Sequence, residues 1–308
     1  MSGLGQRAMT GVHVASVVQL ACVLEASAPK PGNVSPGRPF EDLRYEDFVA
    51  SALAIGRPFE AAGTRPLGQT VRLAIEATRE WTMSNTNLGI ILLLAPLARA
   101  VGKWGRESFY DFRKMTPDPI TVLQPHVRGV LDETTVDDAR EVYEAIRLAK
   151  PGGLGRAESQ DVADEPTMTL LEVMRLAADR DSIAGEYASG FELTFTTGAP
   201  ALDRARCERL AWDDAIVETF LTLLAVKPDT HIVRRAGQAA AEEVSQRARG
   251  VLGEGGVRSA AGRRAIDDMD RALRDGRHTL NPGTTADLTT AAIFVVLLGG
   301  GWRHSWSA

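Results

Sequence analysis

Apolar residues recur along this chain three and four places apart, the spacing of one helix face, and no sustained two-residue alternation bounded by hairpin turns interrupts them. Residues 14–28 are mainly apolar, interrupted by Gln19 and Glu25, and stop at Pro29-Lys30-Pro31-Gly32. Residues 45–62 put Phe48, Ala52, Ile55 and Phe59 on one face, and 67–81 do the same with Leu67, Val71, Ala74, Ile75 and Thr78. A helix is predicted over 85–101, tightened at Pro96. Others follow over 121–129, 136–149, 167–178, 183–196, 211–226, 232–252, 259–274 and 284–298. The connecting loops are 29–43, 116–119, 151–166, 197–204, 227–231 and 277–285, of which 151–166 reads as a lid or subdomain boundary. The expected fold is all-α: one large helical bundle of about 11–13 helices over residues 1–298, with a polar cleft between helices. A flexible tail is expected over 299–308, unless its tryptophans dock.

The most apolar run, from Leu88 to Leu97, is preceded by the uncharged cluster Ser84-Asn85-Thr86-Asn87. The run is too short for a bilayer, which needs about 20 apolar residues, so it reads as a buried helix. Burial does not ask for four small polar side chains at its mouth. Ser84 or Asn85 could cap the helix; alternatively the four line a binding site at a helix end that favours anions.

Composition narrows the function classes. The chain has 308 residues and a net charge of −5, against the basic face of a dedicated nucleic-acid binder. Two cysteines, Cys22 and Cys207, with no CxxC, are cytosolic usage rather than a disulfide framework. Residues 1–10 lack the blocks of a signal peptide. The expectation is a cytoplasmic protein acting on a small molecule, without nucleic acid or membrane, and capable of forming a homodimer. No Walker A loop, GxGxxG, HExxH or GxSxG occurs.

Four polar turns remain. In Pro29-Lys30-Pro31-Gly32-Asn33, prolines fix Lys30 in a rigid loop, either as a solvated lysine at a helix stop or as a cation for a phosphate. The acids that follow, among them Asp42 and Asp47, are a charged helix start or carry a ligand for Mg²⁺. In Lys227-Pro228-Asp229-Thr230-His231, Asp229 or Thr230 could cap a helix whose first turns carry His231, Arg234 and Arg235 on one face. Cations there oppose the helix dipole and call for an anion. In Asn281-Pro282-Gly283-Thr284-Thr285-Ala286-Asp287, Thr284 and Asp287 have capping-box spacing; the alternative is an anion loop with Asp287 aimed at a metal or a ribose hydroxyl. Gly153 to Asp164 is a polar loop with Arg156, Glu158, Asp161 and Asp164.

Taken in order, these segments resemble the triphosphoribosyl-dephospho-coenzyme A synthase family. Its opening helix with an acid and a Pro-Lys-Pro-Gly turn is matched by Glu25 and Pro29-Lys30-Pro31-Gly32, and its Ser-Ala helix by Ser51-Ala52. Its Asn-Thr-His-Lys-Gly motif is matched by Asn85-Thr86-Asn87-Leu88-Gly89, so the His-Lys pair is Asn87-Leu88 here. Asp229-Thr230-His231 with Arg235 and Gly237, and 281–287, match the last two motifs. The resemblance implies an all-α transferase that moves the triphosphoribosyl group of ATP to a nucleotide-like acceptor and releases adenine. Residues 153–191 look like a branch associated with one-carbon cofactor synthesis, an alternative with a retained ATP site and another acceptor. A non-catalytic helical scaffold is the third reading. Under the leading one, Lys30, Arg234 and Arg235 hold phosphates, and Asp42, Asp229 and Asp287 hold Mg²⁺ or act as base. Asn85, Thr86 and Asn87 line the sugar or base site, with Asn33, Ser84, His231, Asn281 and Thr284 as further substrate contacts.

Overall fold

The computed structural model describes residues 11–103, 119–300 and 302. Among them every extended element is helical, and the one β-type pairing is an isolated bridge between Ser35 and Arg38. The helices are α1 (Gly11–Ser27), α2 (Tyr45–Ala54), α3 (Gly56–Glu60), α4 (Leu67–Arg79) and α5 (Leu88–Lys103). Next come α6 (Pro119–Asp132), α7 (Val136–Ala149), α8 (Leu170–Ala177), α9 (Ser182–Ser189) and α10 (Ala199–Cys207). The set ends with α11 (Trp212–Val226), α12 (Thr230–Ala236), α13 (Gln238–Gly253), α14 (Ala260–Leu273) and α15 (Gly283–Leu298).

α5 and α15 form the centre. From Thr284 to Leu298 every residue except Asp287 is buried, and α5 is buried nearly throughout from Leu88 to Val101. Helices apolar all round have to be covered on all sides. The two pack on each other and on α1, while α4 covers α5 and carries α7 outside it, and α10 and α11 close the far side of α15. α5 runs through Pro96 without a break. Gly63 and Gly102 permit a backbone crossing, since a Cβ on Gly63 would stand 2.7 Å from the Gly102 Cα.

The departures from the expected helices have local causes. The helix expected over 45–62 breaks at Ile55, and Pro58, which lacks an N–H, follows within one turn. The one expected over 232–252 divides at Gly237, whose φ of 91° lies outside helical backbone. The one expected over 183–196 stops at Gly190 in the left-handed region. Thr194–Gly198 then makes a π-turn into α10, so the loop expected over 197–204 is largely helix. Pro200 is a helix-start proline there, where its missing N–H has no partner to lose. The expected loop 116–119 falls almost wholly outside the described residues. Of the tail, Trp302 stacks on Trp212 of α11 with ring centroids 5.6 Å apart, and Arg206 lies 4.5 Å over the Trp212 ring.

Candidate active site

A cleft of about 1000 Å³ opens where α1, the N-terminal ends of α5 and α15, α12 and the 151–166 loop meet. Residues from both loops 33–43 and 277–283 also line it. Asn33, Asp42, Ser84, Asn85, Thr86, Asn87, His231, Arg234, Arg235, Asn281, Thr284 and Asp287, all singled out from the sequence, share this one cavity.

The mouth of α5 is fixed by hydrogen bonds. Asn85 Oδ1 accepts the Leu88 N–H at 3.1 Å, so Asn85 caps the helix while facing the cleft. The Thr86 and Ser51 hydroxyls are 2.6 Å apart. The Thr78 hydroxyl donates to Ala74 O and can only accept from its other neighbour, so Asn87 turns its Nδ2 to it at 3.0 Å. That fixes Asn87 Oδ1 as a buried acceptor without a partner. Gly89 next to it has no side chain to keep Asp287 away: a Cβ there would lie 2.0 Å from Asp287 Oδ2.

α12 supplies the cations. His231 Nδ1 is 3.0 Å from Asn281 O, and burial pushes its pKa below the ordinary histidine value against the nearby Asp229. Arg234 Nη1 donates to Asp181 Oδ2 at 2.6 Å, while its buried Nε has no partner. Arg235 Nη2 donates to Arg277 O at 2.8 Å. Thr284 accepts from the Thr230 hydroxyl at 3.2 Å, which itself accepts the Ser182 N–H.

Several expected roles fall away. Lys30 is 1% exposed and does not line the cleft. Its ammonium donates back to the Glu25 and Ala28 carbonyls and pairs with Glu25 Oε1 at 2.9 Å, so no proton is left for a phosphate. The prolines hold it, but against the end of its own helix. Asp229 has both carboxylate oxygens engaged at helix starts. Its Oδ1 accepts from His231 N at 2.8 Å and Ile232 N at 3.0 Å; its Oδ2 accepts from Thr285 N and Thr285 Oγ1, both at 2.7 Å. The capping box expected of Thr284 and Asp287 does not form, because α15 starts without a side-chain cap of its own. Asp42 is exposed at the rim. Asp42, Asp229 and Asp287 do not come together, and the described residues hold no cluster of three His, Cys, Asp or Glu suited to a metal.

Asp287 stands apart from the other acids. The residue is half-buried in the cleft wall; loss of water around the carboxyl first, then the charges of Glu25, Asp229 and Asp181, raise its pKa well above the ordinary carboxylate value, with Arg234 opposing. Glu25 lines the same cleft and is only 4% exposed. The sequence offered a signal for it, a lone acid in an apolar helix. Arg180, Asp181, Arg277 and His278 also line the cleft. They lay in loops whose default reading is solvation.

The family profile described as ATP:dephospho-CoA triphosphoribosyl transferase matches residues 12–305. A protein of Pseudomonas paraeruginosa named as a probable 2-(5''-triphosphoribosyl)-3'-dephosphocoenzyme-A synthase is 34% identical over 39% of this chain; the matched stretch spans 41% of that relative, under half its length. One of the same name from Pseudomonas syringae pv. syringae is 28% identical over 72% of this chain and 75% of its own. A crystal structure from Archaeoglobus fulgidus, named as a candidate triphosphoribosyl-dephospho-coA synthase, superposes with a TM-score of 0.60 at 27% identity, covering 83% of this chain and 100% of that one.

Proposed function

Because the chain belongs to the ATP:dephospho-CoA triphosphoribosyl transferase (CitG) family, we propose that it moves the triphosphoribosyl group of ATP to the ribose hydroxyl of a 3'-dephospho-coenzyme A-type acceptor, with release of adenine. The observation that carries this is the meeting in one cleft of a cationic wall, with Arg234 and Arg235 beside His231, and two acids, Glu25 and Asp287. Glycosyl transfer from ATP needs both: cations on the triphosphate, and carboxyl groups beside a ribose carbon that gains positive charge. Arg234 and Arg235 hold phosphates, the unpartnered Asn87 Oδ1 accepts from a substrate N–H or O–H, and Asn85, Thr86 and Ser84 line the sugar or base. Mg²⁺ arrives on the triphosphate oxygens, the usual way this ion joins phosphate chemistry without a protein cage. The protein works in the cytoplasm and forms a homodimer, a reading that rests on two free cysteines and on exposed Trp81 and Met83. Neither a one-carbon cofactor acceptor nor a non-catalytic scaffold finds support among the named relatives.

The test is chromatographic. The purified chain, ATP, Mg²⁺ and 3'-dephospho-coenzyme A should yield adenine and an acceptor heavier by one triphosphoribosyl group, with no adenine when the acceptor is left out. Release of ADP or phosphate instead would overturn the proposal.

A further inference from the structure

One buried ion pair lies beside the cleft, and packing alone does not explain it. Lys30 and Glu25 form an ion pair with 1% and 4% exposure. Such a pair contributes little net stability, since desolvation offsets most of the attraction. The pair does fix a position: with its protons shared among Glu25 Oε1 and two carbonyls, Lys30 ties the Glu25 carboxylate to the end of α1, where Glu25 lines the cleft. The second acid, Asp287, comes from early in α15. Its carboxylate rests on Gly89, and no hydrogen bond or ion pair to it exists among the described residues. The charged and titratable groups around it are Glu25 and Cys22 from α1, Asp181 before α9, and Asp229 and Arg234 of the α12 segment.

Resting on the transferase reading, we infer that Glu25 and Asp287 are a catalytic carboxyl pair with divided roles, Asp287 the acid to the leaving adenine and Glu25 the anion and base at the ribose carbon; Lys30 is the positioning residue behind Glu25. The bond from the ribose anomeric carbon to adenine breaks, and its electron pair goes to the base. Asp287 gives its proton to a ring nitrogen of that base. The acceptor hydroxyl oxygen bonds to the anomeric carbon as its proton passes to Glu25. Passage of this proton from Glu25 to Asp287 restores both groups: adenine keeps the proton that Asp287 gave, and the hydroxyl proton replaces it on Asp287. Two acids in one site with different surroundings, one paired with a lysine and one without such a partner, are the usual basis of such a division. The raised pKa of Asp287 agrees with the acid's role.

The test uses the full chain with ATP, Mg²⁺ and 3'-dephospho-coenzyme A, reading adenine release, ATP binding and melting together. D287N and E25Q should each lower kcat by about 100-fold or more, the range of general acid–base steps, with ATP affinity kept. Wild-type kcat/KM should fall on the alkaline side as Asp287 loses its proton, and the residual rate of D287N should lack that limb. E25D, which keeps the charge paired with Lys30 and guards against misfolding of E25Q, should fold and keep the limb with kcat lowered about 10-fold, the order of loss for a displaced group. Wild-type turnover together with near wild-type rates in D287N or in both Glu25 variants would overturn the pair alone, as would an unchanged alkaline limb in D287N. No adenine from the wild type would overturn the transferase reading and the pair with it.

Discussion

Gly89 is where a single atom decides the shape of the cleft. A methyl group there would stand 2.0 Å from Asp287 Oδ2 and 2.7 Å from Ile183 Cδ1, and neither neighbour is the free end of a long side chain. Gly89→Ala should therefore push the ends of α5 and α15 apart. Overpacking costs about 1–3 kcal/mol, a loss of several degrees in melting temperature. Turnover should fall far more steeply, because the displaced group is Asp287. A variant with wild-type turnover would remove the glycine from any role in placing that acid. Residue identity alone gave a mixed guide to the site. Asn85, Asn87, Arg234 and Asp287 were legible because small amides, basic residues and an isolated acid at helix starts ask for an explanation that burial does not give. Lys30 misled for a physical reason: a rigid Pro-Lys-Pro turn points its side chain in one direction, and spacing does not say which. Here it turns back on the carbonyls at the end of α1, a common use of lysine at a helix C-terminus.

Between elements the cleft depends on one carboxylate that joins two helix starts. Asp229 caps α12 through His231 N and Ile232 N, and its other oxygen takes Thr285 N and Oγ1 at the start of α15, which has no cap of its own. Asp229→Ala removes a helix cap, at about 1 kcal/mol, and leaves the Thr285 donors buried and unpaired, at about 1–3 kcal/mol. An overall loss of about 2–4 kcal/mol is expected from those two effects, read by urea unfolding with circular dichroism. Retention of full stability with loss of activity would return Asp229 to the chemistry. At this scale the sequence was most legible where apolar spacing was long and regular, as in α4, α11, α14 and α15. It was least legible at breaks set by one residue: Gly237, Pro58 and the Gly190-Phe191 corner. There Glu186, with its pKa raised by burial, takes the Leu193 and Thr194 N–H groups at 2.8 and 2.9 Å. No local pattern announces that a buried acid will satisfy a broken helix, or that Pro200 starts a helix and does not end one.

For the whole molecule, the apolar centre of α5 and α15 carries the unfavourable burial of charge at its edge. Asp287 has a folded-state pKa raised above the unfolded value near 3.8. A group of that kind gives its full contribution to stability below the unfolded pKa, and the contribution is lost as pH rises through the folded pKa. Between the two values the unfolded chain releases the proton and the folded chain keeps it, so unfolding grows easier with pH at about 1.36 kcal/mol per pH unit for one group. D287N has no proton to release and escapes this slope. Its unfolding free energy relative to wild type should therefore rise steadily from pH 4 upward and level off once the folded Asp287 has ionised. Urea unfolding of both proteins at several pH values from about 4 to 8 measures it. A difference that stays flat over that range would mean that the carboxyl is solvated like an ordinary surface acid. A rising difference would place the stability given up for function in one side chain, the expected pattern when an enzyme holds a neutral acid against its own fold.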